Sequence, residues 1–482
     1  MVVARLLGPT DYGLWNALQL ITIYGTYASL GLLNALNREV PIYRGRGDEG
    51  KIAQVRNASL GAMVGLSVLL CGGIFAYALW NRKRLDPNLL VGIMFMGGVV
   101  ALQQLLVFFD VLFRSANDFA IVGRLRLYRT LVEMALAVVL VWGLSFLGRL
   151  LAAVVTSIFL FGYSISRNPF PIRPSWDPPE VGHLIRLGLP LVAAEILYGI
   201  FTSLDRLMIA RHLDRTALGY YSVGLMAVGF LFVLPRVVWE ILYPRFGERF
   251  GETGKPAALE HFVIVPLFGT ATVMALLSGA VVILLPVGLA VALPGYMAGL
   301  DAARVLVCGS FFLALVGGPG IFIQTVTSRQ TALLLNYGGG LSLAAAFNWL
   351  ALSLGYGILG VAIATSLAYS LVATALLLYV LAHFSRGTQC LRRLLGLYAP
   401  FGLVVLFLGV TEQLMPTPRV PDLEAVGVVT VKLLAYGGLA AGILYALRRR
   451  WAPLRTLAME ASFGRAGHSA PLSVGMEEGK LL

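Results

Sequence analysis

The side chains best placed to do chemistry in this 482-residue chain are charged groups lying inside long apolar runs. Arg38 and Glu39 end the first run, and Asp110/Arg114, Arg129/Glu133 and Arg236/Glu240 each stand four residues apart. Glu195 is a lone carboxylate in the middle of another run. A charge inside a membrane-spanning segment costs about 2.5–3.5 kcal/mol by insertion scales, so it ordinarily faces a cavity or a partner. Four-residue spacing puts both members of a pair on one helix face, where they can neutralise each other. The competing reading is that Arg38, Arg114, Arg129 and Arg236 form a cationic lining for a polar cavity. Glu195 has two readings as well. It is either a site for a coupling proton or sodium ion, or a structural group paired with an arginine or hydrogen-bonded to Tyr198 or Asn336.

Such residues have to be positioned by spanning helices. With 58% hydrophobic and 13% charged residues and a mean hydropathy of +0.82, the chain departs from soluble composition and belongs in a bilayer. Its net charge of +13 is spread over the connections between apolar runs. That distribution is membrane topology rather than a nucleic-acid face, so no nucleic-acid partner is expected. Cys71, Cys308 and Cys390 form no CxxC pair and read as packing residues, with no metal site and no cofactor expected.

A spanning helix needs about 20 apolar residues. That rule places spans near 13–36, 57–80, 88–113, 120–143, 147–165, 184–209, 216–240, 260–286, 302–326, 331–353, 357–383, 395–414 and 424–447. Pro190, Pro235, Pro266, Pro319 and Pro400 are kink candidates. The polar residues Gln103, Gln104, Gln324, Asn336 and Asn348 read as interhelical glue, and Trp15, Trp80, Trp176, Tyr220 and Tyr221 as interface anchors. Arginine and lysine are more frequent on the side that holds the connection after the first span. This predicts that side to be cytoplasmic, with the C-terminus on it.

The chain also repeats. ARLLGPTDYGLW at 4–15 matches ARHLDRTALGYY at 210–221, and GLSFLGRLLA at 143–152 matches GYGILGVAIA at 355–364, at offsets of 206 and 212. Two matches at nearly one offset predict two homologous halves. Gly13, Gly219 and Gly360 belong to the matching segments and read as structural, as do Asp205 and Arg206, which orient the turn that follows them. The copy at 210 has an apolar helix before it, whereas the copy at 4 has almost nothing, so the first helix is expected to be largely missing. The predicted fold is an all-α polytopic membrane protein. Two six-helix lobes, related as a parallel repeat, surround a central cavity, with two more helices at the C-terminal end. The expected divisions are an N-lobe at 1–166, a proline-rich interlobe linker at 167–182 and a C-lobe at 183–384. An additional helix pair at 385–447 and a disordered cytoplasmic tail at 448–482 follow.

ARLLGPTDYGLW followed by LGLLNALNRE, then LDRLMIARHLDRTALGYYSVG and later NWLALSLGYGILGVAIATSLAYS, resemble the polysaccharide transporter family. This is the Wzx-like oligosaccharide flippase branch of the multidrug/oligosaccharidyl-lipid/polysaccharide exporter superfamily, and the resemblance runs from residue 1 to about 384. It implies a transporter, not an enzyme, in the bacterial inner membrane. The implied substrate is a polyprenyl-pyrophosphate-linked oligosaccharide, flipped for O-antigen, capsule or exopolysaccharide synthesis. Membrane lipids, a polysaccharide polymerase and glycosyltransferases are the implied partners, and the cationic lining would then receive pyrophosphate. A drug or metabolite extruder of the same superfamily, or a membrane glycosyltransferase or polymerase, is the alternative.

Overall fold

In hydrocarbon a backbone group must find its partner within the protein, and an α-helix satisfies nearly all of them within one segment. The computed structural model describes residues 7, 11, 14–15, 18–19, 21–22, 24–171, 173–327, 330–418 and 423–450, and among these there is no strand. Gly13 and residues 451–482 of the expected tail lie outside the described residues, while residues 448–450 belong to the last helix rather than to the tail.

The helices are α1 (Leu32–Arg46), α2 (Glu49–Trp80), α3 (Pro87–Ser115), α4 (Phe119–Ser166), α5 (Pro178–Phe201) and α6 (Leu204–His212). They continue as α7 (Arg215–Leu231), α8 (Val233–Thr253), α9 (Glu260–Ala292), α10 (Leu300–Ala314) and α11 (Gly317–Phe322). The last are α12 (Gln330–Ser353), α13 (Gly357–Phe384), α14 (Thr388–Leu414) and α15 (Leu423–Arg450). Ten helical segments among the described residues are long and apolar enough to cross a bilayer.

The starts of several helices are written in the chain as aspartates. The side chains of Asp48, Asp86, Asp118, Asp177 and Asp214 each accept a backbone N–H in the first turn of α2, α3, α4, α5 and α7. These groups would otherwise be unpaired at a helix N-terminus. Asp177 also accepts from the Gln54 amide at 2.9 Å, and that bond above all holds its carboxyl below the usual range.

Four expected spans are interrupted, among them 302–326, which breaks at Leu315 and Val316 between α10 and α11. The first breaks at Leu30 and Gly31, both left-handed, before α1 resumes. Span 184–209 breaks at Thr202 and Ser203 into α5 and α6, and Pro235 stands in the first turn of α8, just after the break that ends α7. The expected spans 120–143 and 147–165 are the two arms of α4, which reverses at Ser145 (φ 48°, ψ −126°).

That reversal explains the second repeated segment. A Cβ on Gly148 would lie 2.0 Å from the Leu140 carbonyl oxygen, and one on Gly360 would lie 2.4 Å from the Tyr356 Cβ. Gly148 therefore lets the two arms of its hairpin touch backbone to backbone, whereas Gly360 fits against the turn at Tyr356 and lies 3.1 Å, by the same measure, from the Ala351 Cβ on the other arm. Gly219 differs, because a Cβ there would make only an ordinary contact with Tyr296 at 3.8 Å.

Buried side chains gather in two main clusters, and α5 contributes to both, Leu184 to one and Phe201 to the other. Leu36, Met63, Phe108, Phe113 and Leu184 belong to one cluster, and Phe201, Phe246, Met274, Phe311 and Leu377 to another. The segment before α5 is not a free strand of chain. Arg56 donates to the Pro171 carbonyl and Ser175 N–H to that of Asn57, which fastens the segment along α2.

Candidate functional site

Between the two clusters lies a cavity of about 400 Å³, lined by α1, α3, α5, α8 and the stretch that includes α11. Its polar lining is Tyr27, Ser29, Asn34, Asn37, Arg114, Glu195, Tyr243 and Gln324, set among Leu33, Val107, Val111, Val192 and Ile321. Asn34, from the first half, donates to Glu195, from the second, at 2.8 Å. Glu195 thus has a partner other than the arginine, Tyr198 or Asn336 expected from the sequence.

Beyond the cavity, at the C-terminal end of α1, α1 and α8 run together. A Cβ on Gly45 would lie 1.8 Å from the Glu248 carbonyl oxygen, one on Gly251 2.0 Å from that of Ile42, and one on Gly247 2.6 Å from Pro41. Glycine here permits backbone-to-backbone contact, as small residues do between membrane helices. Charges flank the contact. Arg44 donates to the Ser115 carbonyl and to Glu248 at 3.2 Å, and Asn117 donates to the same carboxylate at 2.7 Å.

Between this seam and the cavity stands a second group. Arg114 Nε is 2.9 Å from Asp110 and its Nη1 is 3.5 Å from Glu240. Arg126 binds both oxygens of Glu240.

The structure places the sequence-predicted residues in several different settings. Arg114 pairs with Asp110 as its spacing implies, and it also lines the cavity. Arg38 is buried, donating to Glu39 and, at 2.7 Å, to the Gln324 carbonyl. Arg129 lines a separate polar cavity of about 130 Å³ inside the first half, together with Gln103, Glu133 and Thr156. Glu133 pairs there not with Arg129 but with Arg149, at 2.7 Å, and the Arg149 guanidinium lies 3.8 Å over the Trp15 ring. Arg236 is exposed, and the expected pair with Glu240 gives way to Arg114 and Arg126. Helical spacing permits such a pair, but a shorter contact across the interface takes precedence.

Asp205 is buried and accepts the Tyr221 hydroxyl at 2.6 Å, while Arg206 donates to the Thr202 carbonyl at 2.8 Å. Tyr221 and Trp15 are core residues, not interface anchors, whereas Trp80 and Trp176 are exposed. Sequence reasoning misses Asn34 and Asn37 as cavity residues, and it does not single out Arg44 or Arg126. Asn34, Asn37 and Arg44 all lie on a helix that enters the interface, but only the break at Gly31 makes that helix turn inward.

Fold and site together define a multi-pass membrane protein with a cavity between two helical halves. Residues 2–252 match the sequence profile of the polysaccharide biosynthesis protein family, and the chain belongs to that family. Among curated proteins, no sequence matches it at a significant level.

Its fold is that of the MATE transporters. The structure of the Vibrio cholerae MATE transporter VcmN is similar with a TM-score of 0.65 at 13% identity, covering 79% of this chain and 90% of that one. An outward-facing multidrug resistance MATE family transporter of the MOP superfamily gives 0.61 at 12% identity, covering 83% and 90%. A MOP superfamily transporter from Pyrococcus furiosus, described as having a binding pocket of reversed polarity, gives 0.58 at 14% identity, covering 80% and 90%.

Proposed function

We propose that this protein is a flippase that moves a lipid-linked oligosaccharide, carried on polyprenyl pyrophosphate, across the bacterial inner membrane for surface polysaccharide synthesis. The observation that carries the reading is the cavity between the halves. It presents a guanidinium, a carboxylate, two asparagines, a glutamine, a serine and two tyrosines in the middle of an apolar bundle, in a chain that belongs to a polysaccharide biosynthesis family. A sugar brings many hydroxyl groups and pyrophosphate brings negative charge. Neither enters about 30 Å of hydrocarbon without a polar surface to replace water. Amide side chains serve hydroxyl groups as both donors and acceptors, and arginine matches phosphate geometry.

In this reading residues 1–166 and 183–384 act as two lobes that rock about the cavity. The basic end carrying Arg44, Arg114 and Arg126 faces the cytoplasm, and the C-terminus lies on that side. The work is translocation without covalent chemistry. Glu195 is the ion-coupling candidate, because it is a cavity carboxylate whose hydrogen-bond partner comes from the opposite half. Protonation of that carboxylate changes a contact between the moving parts.

Deleting the gene in its native host tests the reading. Surface polysaccharide should disappear, with the lipid-linked unit accumulating on the cytoplasmic face. Normal polymer together with drug sensitivity would overturn it in favour of an extruder.

A further inference from the structure

The cationic site on the first half is already occupied, and its occupant is a side chain of the second half. Arg114 and Arg126 stand on α3 and α4, and Asp110 on α3 neutralises one of these two charges. Glu240, on α8, supplies the other negative charge, reaching both guanidinium groups. Eight residues further along α8, Glu248 does the same for Arg44. Both carboxylates thus tie the helix of the glycine seam to cations of the opposite half. When α8 moves away, Arg114 and Arg126 keep a net positive charge and lose their second acceptor.

We propose that Glu240 is an internal stand-in for the anionic group of the ligand. A diphosphate takes Arg114 and Arg126 only when Glu240 withdraws, so that ligand binding and opening of the α1–α8 seam are a single event. The ligand class rests on the flippase reading, whereas the exchange itself rests on the geometry. With Asp110 already neutralising one charge, a diphosphate and the Glu240 carboxylate cannot both take the remaining one without like-charge repulsion. The consequence is reciprocal. If the Glu240 contact opposes ligand binding by some factor, removing the contact must raise affinity by that same factor, and the ligand must favour the open seam to that extent. Glu240 would then also act as a specificity residue. An uncharged or singly charged ligand makes too weak a bid for two arginines to displace a carboxylate already held by both.

The test uses the full chain in lipid nanodiscs with inorganic pyrophosphate as the probe. Ile42 is buried and its carbonyl lies in the seam, so maleimide labelling of an Ile42→Cys variant, read at that site by mass spectrometry, reports opening. In the otherwise native chain, pyrophosphate should raise labelling several-fold. Glu240→Gln should label without ligand and bind pyrophosphate about tenfold more tightly, within the usual range of coupling between sites. Arg126→Gln should also loosen the seam but bind pyrophosphate more weakly, a split that a merely structural role of the ion pair would not produce.

Unchanged labelling and affinity in Glu240→Gln would overturn the proposal, as would pyrophosphate binding neither protein. Should Glu240→Gln fail to assemble, Glu240→Ala and Arg126→Gln carry the same comparison, and equal affinity in both would overturn it. The two readings fail separately. A seam that responds as described, in a protein whose deletion leaves surface polymer intact, removes the flippase reading alone. Lost polymer with an unresponsive seam removes only the exchange.

Discussion

Glycine brings backbones together in two kinds of place in this molecule, and the surroundings differ. In the hairpin at Gly148, and in the one at Gly360, the touching arms belong to the same half, and Leu150, Val361 and Ala362 around them are buried. In the seam at Gly45, Gly247 and Gly251, the touching helices belong to opposite halves. They are flanked by Arg44, Asn117, Glu240 and Glu248, beside a polar cavity. The arms of a hairpin are joined by a short turn and their apolar packing has no substitute partner once separated, so the hairpins hold, although Arg149 and Glu133 also pair across the one at Gly148. Charges and amides can exchange a protein partner for water or a ligand, so the seam is the contact that can open and re-form.

The largest expected effect therefore lies in the hairpins. Gly148→Val or Gly360→Val should lower the thermal midpoint of the purified protein by an amount equivalent to about 3 kcal/mol or more, because neither arm can retreat. Gly143, where an added Cβ meets open space, is the control. A Gly148→Val protein as stable as Gly143→Val would break the distinction.

Next comes Gly251→Leu, which should cost about 1–2 kcal/mol, since the seam can part to admit the side chain. Maleimide labelling at Ile42→Cys should rise in that background while the protein stays folded. A loss of fold as severe as that from Gly148→Val would show that the seam is as fixed as a hairpin.

Asn34→Leu leaves Glu195 without the donor it now has, at an expected cost of about 1 kcal/mol. Adding Glu195→Gln should recover part of that loss in a double-mutant cycle. Additive changes would mean that the bond contributes nothing across the halves. The smallest effect is expected at Arg249 and Glu252, paired at 2.9 Å with both side chains about half exposed. Glu252→Gln should move stability by no more than about 0.5 kcal/mol.

Much of this architecture is legible in the amino-acid sequence. The length and hydropathy of the runs place the helices, because an apolar segment that long has few other ways to satisfy its backbone. The glycines of the repeated hairpin segment are visible as matches, although their reason, backbone contact at Gly148 and close packing at Gly360, is not. The capping aspartates stand just ahead of their helices, but an aspartate in a connection is common enough that its type alone does not mark a cap. Partner choice is less legible. Spacing pairs Arg129 with Glu133 and Arg236 with Glu240, but the structure gives Glu133 to Arg149 and Glu240 to Arg114 and Arg126. Sequence spacing reports which groups share a helix face, and the interface decides which of them find a better partner elsewhere.

By itself, then, the sequence determined that this is a helical membrane protein with an internal repeat, with arginines clustered toward one end and charges inside its spans. Hydropathy and composition act locally along the chain, and that is enough to set those features. Only the tertiary structure decided that Asn34 meets Glu195, that α1 and α8 meet in a glycine seam, and that a carboxylate of one half occupies the arginines of the other. These contacts join residues more than a hundred positions apart, and their existence depends on where helices break and cross.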